Sequence, residues 1–219
     1  MENIVHIKNY KSPPIDKKEI LRYAKAGEDF CELEGLIDEC ILEVFDKLVY
    51  KVCYCELPIE KFIEHNSKDL EKNLWDCTSV VLFCATIGIE IDRLIARYAS
   101  VSPLKSLLFQ AIGAERIESL VNLFNDEIKE EKRLHTKSTS PRFSAGYGDF
   151  KIEAQKDIFK ILEPSRKIGV TLNESLLMSP SKSVSAIIGI SDKEICEDFI
   201  TCEKCNKKDC EYRRKNENT

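Results

Sequence analysis

The chain has 219 residues, enough to bury a full core, and its hydrophobic (43%) and charged (32%) fractions are ordinary for a globular protein. A formal net charge of −5 argues against a general nucleic-acid binder, which carries a basic face. The longest apolar run, residues 79–89, falls short of the ~18 residues of a membrane span, and residues 1–11 are polar with no secretory h-region; no membrane partner and a cytoplasmic location are expected.

Pro13 and Pro14 make a stiff, extended lead-in. Asp16 is the expected N-cap of a helix over 17–26, with Glu19 in the capping-box position and Gly27 at its end. A second helix is expected over 28–48, where Phe30, Leu33, Ile37, Ile41, Val44 and Leu48 follow helical spacing. Residues 49–57 alternate and are rich in β-formers, a strand ended by Pro58. In it Cys53 and Cys55 flank Tyr54 and share one face, as core thiols or as a reactive pair. Residues 61–72 predict a short helix. The continuous apolar run 79–88 predicts a central strand buried on both faces, and Gly88 turns the chain into a helix over 90–99. Ser102 and Pro103 open a long helix, 104–132, with Leu107, Leu108, Ala111, Ile112, Ile117, Leu120, Val121, Phe124 and Ile128 as its apolar positions. Residues 135–148 lack periodicity and form a loop. A short amphipathic helix follows over 151–162, ended by Pro164, and then strands over 168–172 and 183–190. Helices and strands mix without a βαβ alternation, so the fold class is α+β.

Two segments could carry chemistry. The loop Arg142–Gly148 offers a planar guanidinium fork for a carboxylate, a tyrosine hydroxyl on a rigid ring, and two glycines, Gly146 and Gly148, that allow close backbone approach. Such a loop could grip a zwitterionic small molecule, or be a surface turn with an arginine ion pair. The C-terminus holds Cys196, Cys202, Cys205 and Cys210 in a C-x5-C-x2-C-x4-C spacing, suited to zinc or an iron–sulfur cluster, or a tail of reduced thiols. On this basis the chain divides into an α+β domain, 1–195, and a cysteine-rich tail, 196–219. His6, His65 and His135 have no metal or catalytic spacing, and no Ser-His-Asp order, P-loop or dinucleotide fingerprint is present.

The segment 142–147 resembles the Arg-x-x-x-Gly-Tyr loop of the reactivation (activation) domain of cobalamin-dependent methionine synthase. Arg142, Gly146 and Tyr147 match, with Ala145 before the glycine, while Gly148 stands where the family often has proline. The similarity continues through the helix 155–162, Gly169, Leu172, Asn173-Glu174-Ser175 and Ser183-Val184-Ser185. Ala85–Gly88, Ala111–Gly113 and Glu19–Tyr23 resemble the stand-alone relatives of this domain, short proteins without the catalytic modules, so the similarity spans about residues 17–190. The resemblance implies an activation-domain-like fold, a mixed or antiparallel sheet flanked by helices. It implies an S-adenosylmethionine site in which Arg142 meets the methionine carboxylate, the backbone at Ala145 and Gly146 contacts the ligand, and Tyr147 closes the site. It places Glu118 beside the ligand's positive charge, although a slip of one turn would nominate Glu115 instead. Two family features, an N-terminal acidic residue and a tyrosine near the last strand, have no counterpart here.

By the same resemblance the expected function is reductive reactivation. Cob(II)alamin in methionine synthase, or in another corrinoid methyltransferase, regains its methyl group from S-adenosylmethionine and an electron from a flavodoxin- or ferredoxin-like donor. The chain has no Asp-x-His-x-x-Gly cobalamin motif, so the corrinoid is expected on a partner that this protein caps. The implied catalysis is by positioning and electrostatics, without acid–base residues. Two alternatives stay open: a non-catalytic metal- or iron–sulfur-binding module docking on a corrinoid protein, and an S-adenosylmethionine-dependent methyltransferase acting on something else. The second lacks the expected glycine-rich turn after a first strand.

Overall fold

The structure, a computed structural model, describes residues 4–25, 31–62 and 66–193. In chain order its elements are β1 (His6–Tyr10), α1 (Lys17–Ala24), α2 (Cys31–Val44), β2 (Tyr50–Pro58), α3 (Lys68–Asn73), β3 (Ser79–Thr86), α4 (Glu90–Tyr98) and α5 (Pro103–Leu134). There follow β4 (Ser138–Thr139), α6 (Gln155–Leu162), α7 (Pro164–Lys167), β5 (Thr171–Leu172), β6 (Met178–Ser179) and β7 (Ser183–Ser191). Five strands form one sheet in the order β1-β2-β3-β7-β4, and every neighbouring pair is antiparallel. β5 and β6 form a separate two-stranded hairpin.

The sheet divides the molecule into two layers because alternate residues of a strand point to opposite faces. Val81, Phe83 and Ala85 of β3 and Ala186, Ile188 and Ile190 of β7 face α1, α2, α4 and α5. Val80, Leu82 and Cys84, with Ile187, face α3, α6 and the segment around Phe150. β3 is therefore covered on both sides, as its unbroken apolar run predicts. α5 opens with Pro103 at its first turn and packs an inward stripe of Leu108, Ala111, Ile112, Leu120, Val121, Phe124 and Ile128 into the first layer. Cys53 and Cys55 lie in the second layer, and Cys53 sits opposite Cys84 in the ladder. Burial pushes the Cys53 thiol up to about 12 and the Cys55 thiol to about 11, so these are core thiols and not nucleophiles at neutral pH.

Several local expectations are corrected. Asp16 caps α1, accepting the Lys18 and Glu19 amides at 2.9 and 3.2 Å, but Glu19 does not close a capping box. It pairs with Arg22 at 2.8 Å, while the Asp16 N–H donates to Glu115 at 3.2 Å. α1 ends at Lys25 in the left-handed conformation (φ 53), two residues before Gly27. α2 stops at Val44 and gives way to a tight turn, Phe45–Lys47, because the backbone at Leu48 is already extended. Pro164 starts α7 after Glu163 has reversed the chain at φ 48, since a proline at the first helical position lacks only an N–H that would go unused. The predicted strand over 168–172 shrinks to Thr171–Leu172, and the polar edge strand β1 is a further addition. Gly27, Phe30, His65 and the tail cysteines Cys196, Cys202, Cys205 and Cys210 lie outside the described residues. Among those described, no helix is long and apolar enough to cross a membrane, and no group of three or more His, Cys, Asp or Glu could hold a metal ion.

Candidate ligand site

The loop 142–148 is built onto the free side of β7. The Phe143 N–H donates to the Ile187 carbonyl at 2.8 Å and the Ile187 N–H returns to Phe143 at 2.9 Å. Upstream, the Ser140 N–H donates to Gly189 at 2.9 Å, so the segment continues the sheet beyond β4 without regular strand geometry. The chain then folds back on itself: Gly146 N–H reaches the Phe150 carbonyl at 2.7 Å, and the Phe143 and Phe150 rings stack with centroids 6.0 Å apart. Ala145 and Phe150 are buried under this turn.

Both glycines adopt left-handed backbone, Gly146 at φ +93 and Gly148 at φ +56. Gly148 is the tighter constraint. A Cβ there would lie 2.2 Å from Asp69 Oδ2, and that carboxylate accepts the Asp149 N–H at 3.1 Å. In return Asp149 accepts the Ser67 hydroxyl at 2.5 Å and the Lys68 and Asp69 amides at 2.9 and 3.2 Å. The end of the glycine loop is thus hooked to the start of α3. The Ser67 hydroxyl, with the Asp69 and Lys68 amides behind it, holds the Asp149 carboxyl below the usual range. The hook's contribution is present above the unfolded carboxylate range and is lost as pH falls through the lower folded value. Replacing Gly148 with alanine should destabilise the protein by about 1–3 kcal/mol through backbone strain and the Asp69 clash. Urea denaturation checks this, and an unchanged midpoint would mean that the hook is not formed.

Arg142 and Glu118 are 24 residues apart and meet: Nη2 donates to Glu118 Oε2 at 2.8 Å. Nη1 donates to Asn122 Oδ1 at 2.7 Å. Glu118 and Asn122 are four residues apart on α5 and so share one helix face. Glu115, the other glutamate in contention, points elsewhere. It is 2% exposed and locked to Arg116, whose Nη1 and Nη2 donate to the Pro13 and Pro14 carbonyls at 2.6 Å each. Tyr147, within the loop, is 68% exposed, and its hydroxyl has no partner among the described residues. Tyr23 of α1 lies within electrostatic reach of Glu118, and burial together with that carboxylate raises its phenol above the ordinary value. Of the two serines in Ser183-Val184-Ser185, Ser183 bonds to Thr86 at 2.9 Å, whereas Ser185 Oγ is buried with no hydrogen-bond partner among the described residues. A surface hollow of about 340 Å³ lies between β1, β2 and the Phe45–Lys47 turn and includes none of these residues.

The arrangement pairs a fixed cation, Arg142, with a fixed anion, Glu118, at the rim of a glycine turn that exposes its backbone. That suits a ligand bearing both charges. Asn122 is the member that sequence reasoning missed; its only signal is the i+4 spacing from Glu118.

The fold is an α+β domain in which the Arg142–Gly148 loop is joined to α5 by the Arg142–Glu118 pair. Residues 56–217 match the family described as vitamin B12 dependent methionine synthase, activation domain, and the chain belongs to that family. The match runs through the segment with Cys196, Cys202, Cys205 and Cys210. A comparison with curated proteins finds no match. Among solved structures the chain is similar to the MetH reactivation domain bound to AdoHcy, with a TM-score of 0.62 and 12% identity over 89% of this chain and 81% of that one. At that identity the likeness speaks for the fold.

Proposed function

We propose that this protein binds S-adenosylmethionine between Arg142 and Glu118 and presents it to the cobalamin of a methionine synthase or another corrinoid methyltransferase, reactivating the oxidised cofactor. The observation that carries the reading is the Arg142–Glu118 pair, which joins the start of the Arg142–Gly148 loop to α5. Membership of the activation-domain family supports it, as does the fold shared with a domain bound to AdoHcy.

The residues fit the ligand's charges. Arg142 keeps three guanidinium N–H groups beyond the two bonded to Glu118 and Asn122, and Nε is among them, so a carboxylate can be received without breaking both existing bonds. Glu118 is placed for an ammonium or sulfonium. Gly146 and Tyr147 offer backbone at close approach and an exposed aromatic face to cover the nucleoside. When bound, S-adenosylmethionine supplies the methyl group. The chain's own part is to hold the donor's amino-acid end fixed, so that the methyl carbon points out of the site toward a corrinoid carried by a separate module. A low-potential flavodoxin- or ferredoxin-like donor completes the scheme in the cytoplasm.

In this reading residues 196–219 are a cysteine-rich tail to the 1–195 domain. Its four cysteines are suited to zinc or an iron–sulfur cluster, and elemental analysis of wild type against Cys202→Ser/Cys205→Ser tests that assignment. The ligand assignment is tested by titrating S-adenosylhomocysteine, the stable product, into the purified protein by calorimetry. Saturable one-to-one binding is expected; an absence of heat at millimolar ligand would remove the site.

A further inference from the structure

We infer that Asn122 is a positioning residue for Arg142, setting the guanidinium plane for a ligand carboxylate without adding a second negative charge beside it; this rests on the ligand reading above. Arg142 comes from an irregular loop, and a single ion pair to Glu118 would leave it free to swing about that one contact. The second bond, from Nη1 to Asn122 Oδ1 at 2.7 Å, comes from the same helix one turn on and fixes the plane at two points. α5 is the long, core-packed element of the fold, so the fork is referenced to a rigid helix and not to the loop.

The chemistry of the second holder matters. An amide oxygen accepts from guanidinium as a carboxylate would, yet carries no charge. With Glu118 alone opposing it, Arg142 still presents donors to an anion. With a second carboxylate at 122 the site would be net negative and would repel the group it is built to take. Asn122 is itself exposed and makes no other described hydrogen bond, so packing does not account for its presence.

The test uses two nucleosides that differ in the amino-acid end: S-adenosylhomocysteine, which has the carboxylate and ammonium, and 5′-methylthioadenosine, which has neither. Asn122→Leu should weaken S-adenosylhomocysteine about tenfold, the scale of one lost orienting hydrogen bond, and leave methylthioadenosine unchanged. Asn122→Asp should also weaken S-adenosylhomocysteine alone, more at low than at high ionic strength. Both variants should keep the wild-type thermal midpoint. Wild-type affinity for S-adenosylhomocysteine in Asn122→Leu, or equal losses for both nucleosides, would overturn the positioning role. Wild-type protein that binds neither nucleoside would overturn the ligand reading, and this inference with it.

Discussion

Replacing Arg116 with methionine should lower the unfolding free energy by about 3–5 kcal/mol, the range for removing one partner of a buried ion pair. Arg116 is 2% exposed on α5, and its Nε lies 2.5 Å from Glu115 Oε2. Its two Nη groups take up the carbonyls of Pro13 and Pro14. Glu115 in turn accepts the Ser119 hydroxyl at 2.8 Å and the Asp16 N–H at 3.2 Å, which ties the start of α1 to the same point. Methionine fills much of the space but leaves the buried Glu115 carboxylate without its cation and the Pro13 and Pro14 carbonyls without their Arg116 donors. A urea midpoint that falls at constant slope checks the prediction. The double variant Glu115→Leu/Arg116→Met should recover most of the loss, because the stranded charge is gone. A single-variant loss below about 1 kcal/mol would show that the pair is solvated and does not pin the proline segment.

Arg142→Ala should do the reverse, costing little stability and most of the binding. The Arg142 and Glu118 side chains are 29% and 39% exposed, and an ion pair at that exposure contributes about 0–1 kcal/mol to folding. Two charge-assisted bonds to a ligand carboxylate are worth about 3 kcal/mol together, so S-adenosylhomocysteine should bind about a hundredfold more weakly. Arg142→Lys keeps the charge and loses the fork, and should fall between wild type and alanine. Calorimetry on the three proteins reads the series. Equal affinity for wild type and Arg142→Ala would move the ligand's carboxylate to another part of the molecule.

The contrast between these two arginines shows where sequence reading stops. Both precede or follow a glutamate within reach, and both lie in segments that the family resemblance covers. Their fates differ because Arg116 falls on the inward face of α5, whereas Arg142 reaches its partner from a loop 24 residues away. The same holds for Glu115 and Glu118: one turn apart, equally acidic, and separable only when Glu115 is seen to meet Arg116 and the Asp16 N–H while Glu118 meets Arg142. β3, α4, α5 and β7 were legible because long apolar runs or helical spacing admit few other readings. β1 was not, because its side chains are mostly exposed and its place depends on backbone pairing with β2, which leaves no hydrophobic pattern. Pro164 read as a stop because a proline ends most helices, yet a left-handed residue before it can start another. The Arg142–Gly148 loop was found by its residue types and family pattern, while Asn122, an ordinary exposed helix residue, carries no such mark.

The most direct measurement is methyl transfer itself. The purified chain, a cobalamin-binding module of methionine synthase in the cob(II)alamin state, S-adenosylmethionine and a low-potential reductant are combined, and methylcobalamin is followed by its absorbance. Formation that depends on this chain, needs S-adenosylmethionine and falls at least tenfold with Arg142→Ala at subsaturating donor is the predicted result. Methylcobalamin appearing at the same rate with and without the chain, or with wild type and Arg142→Ala alike, would contradict it.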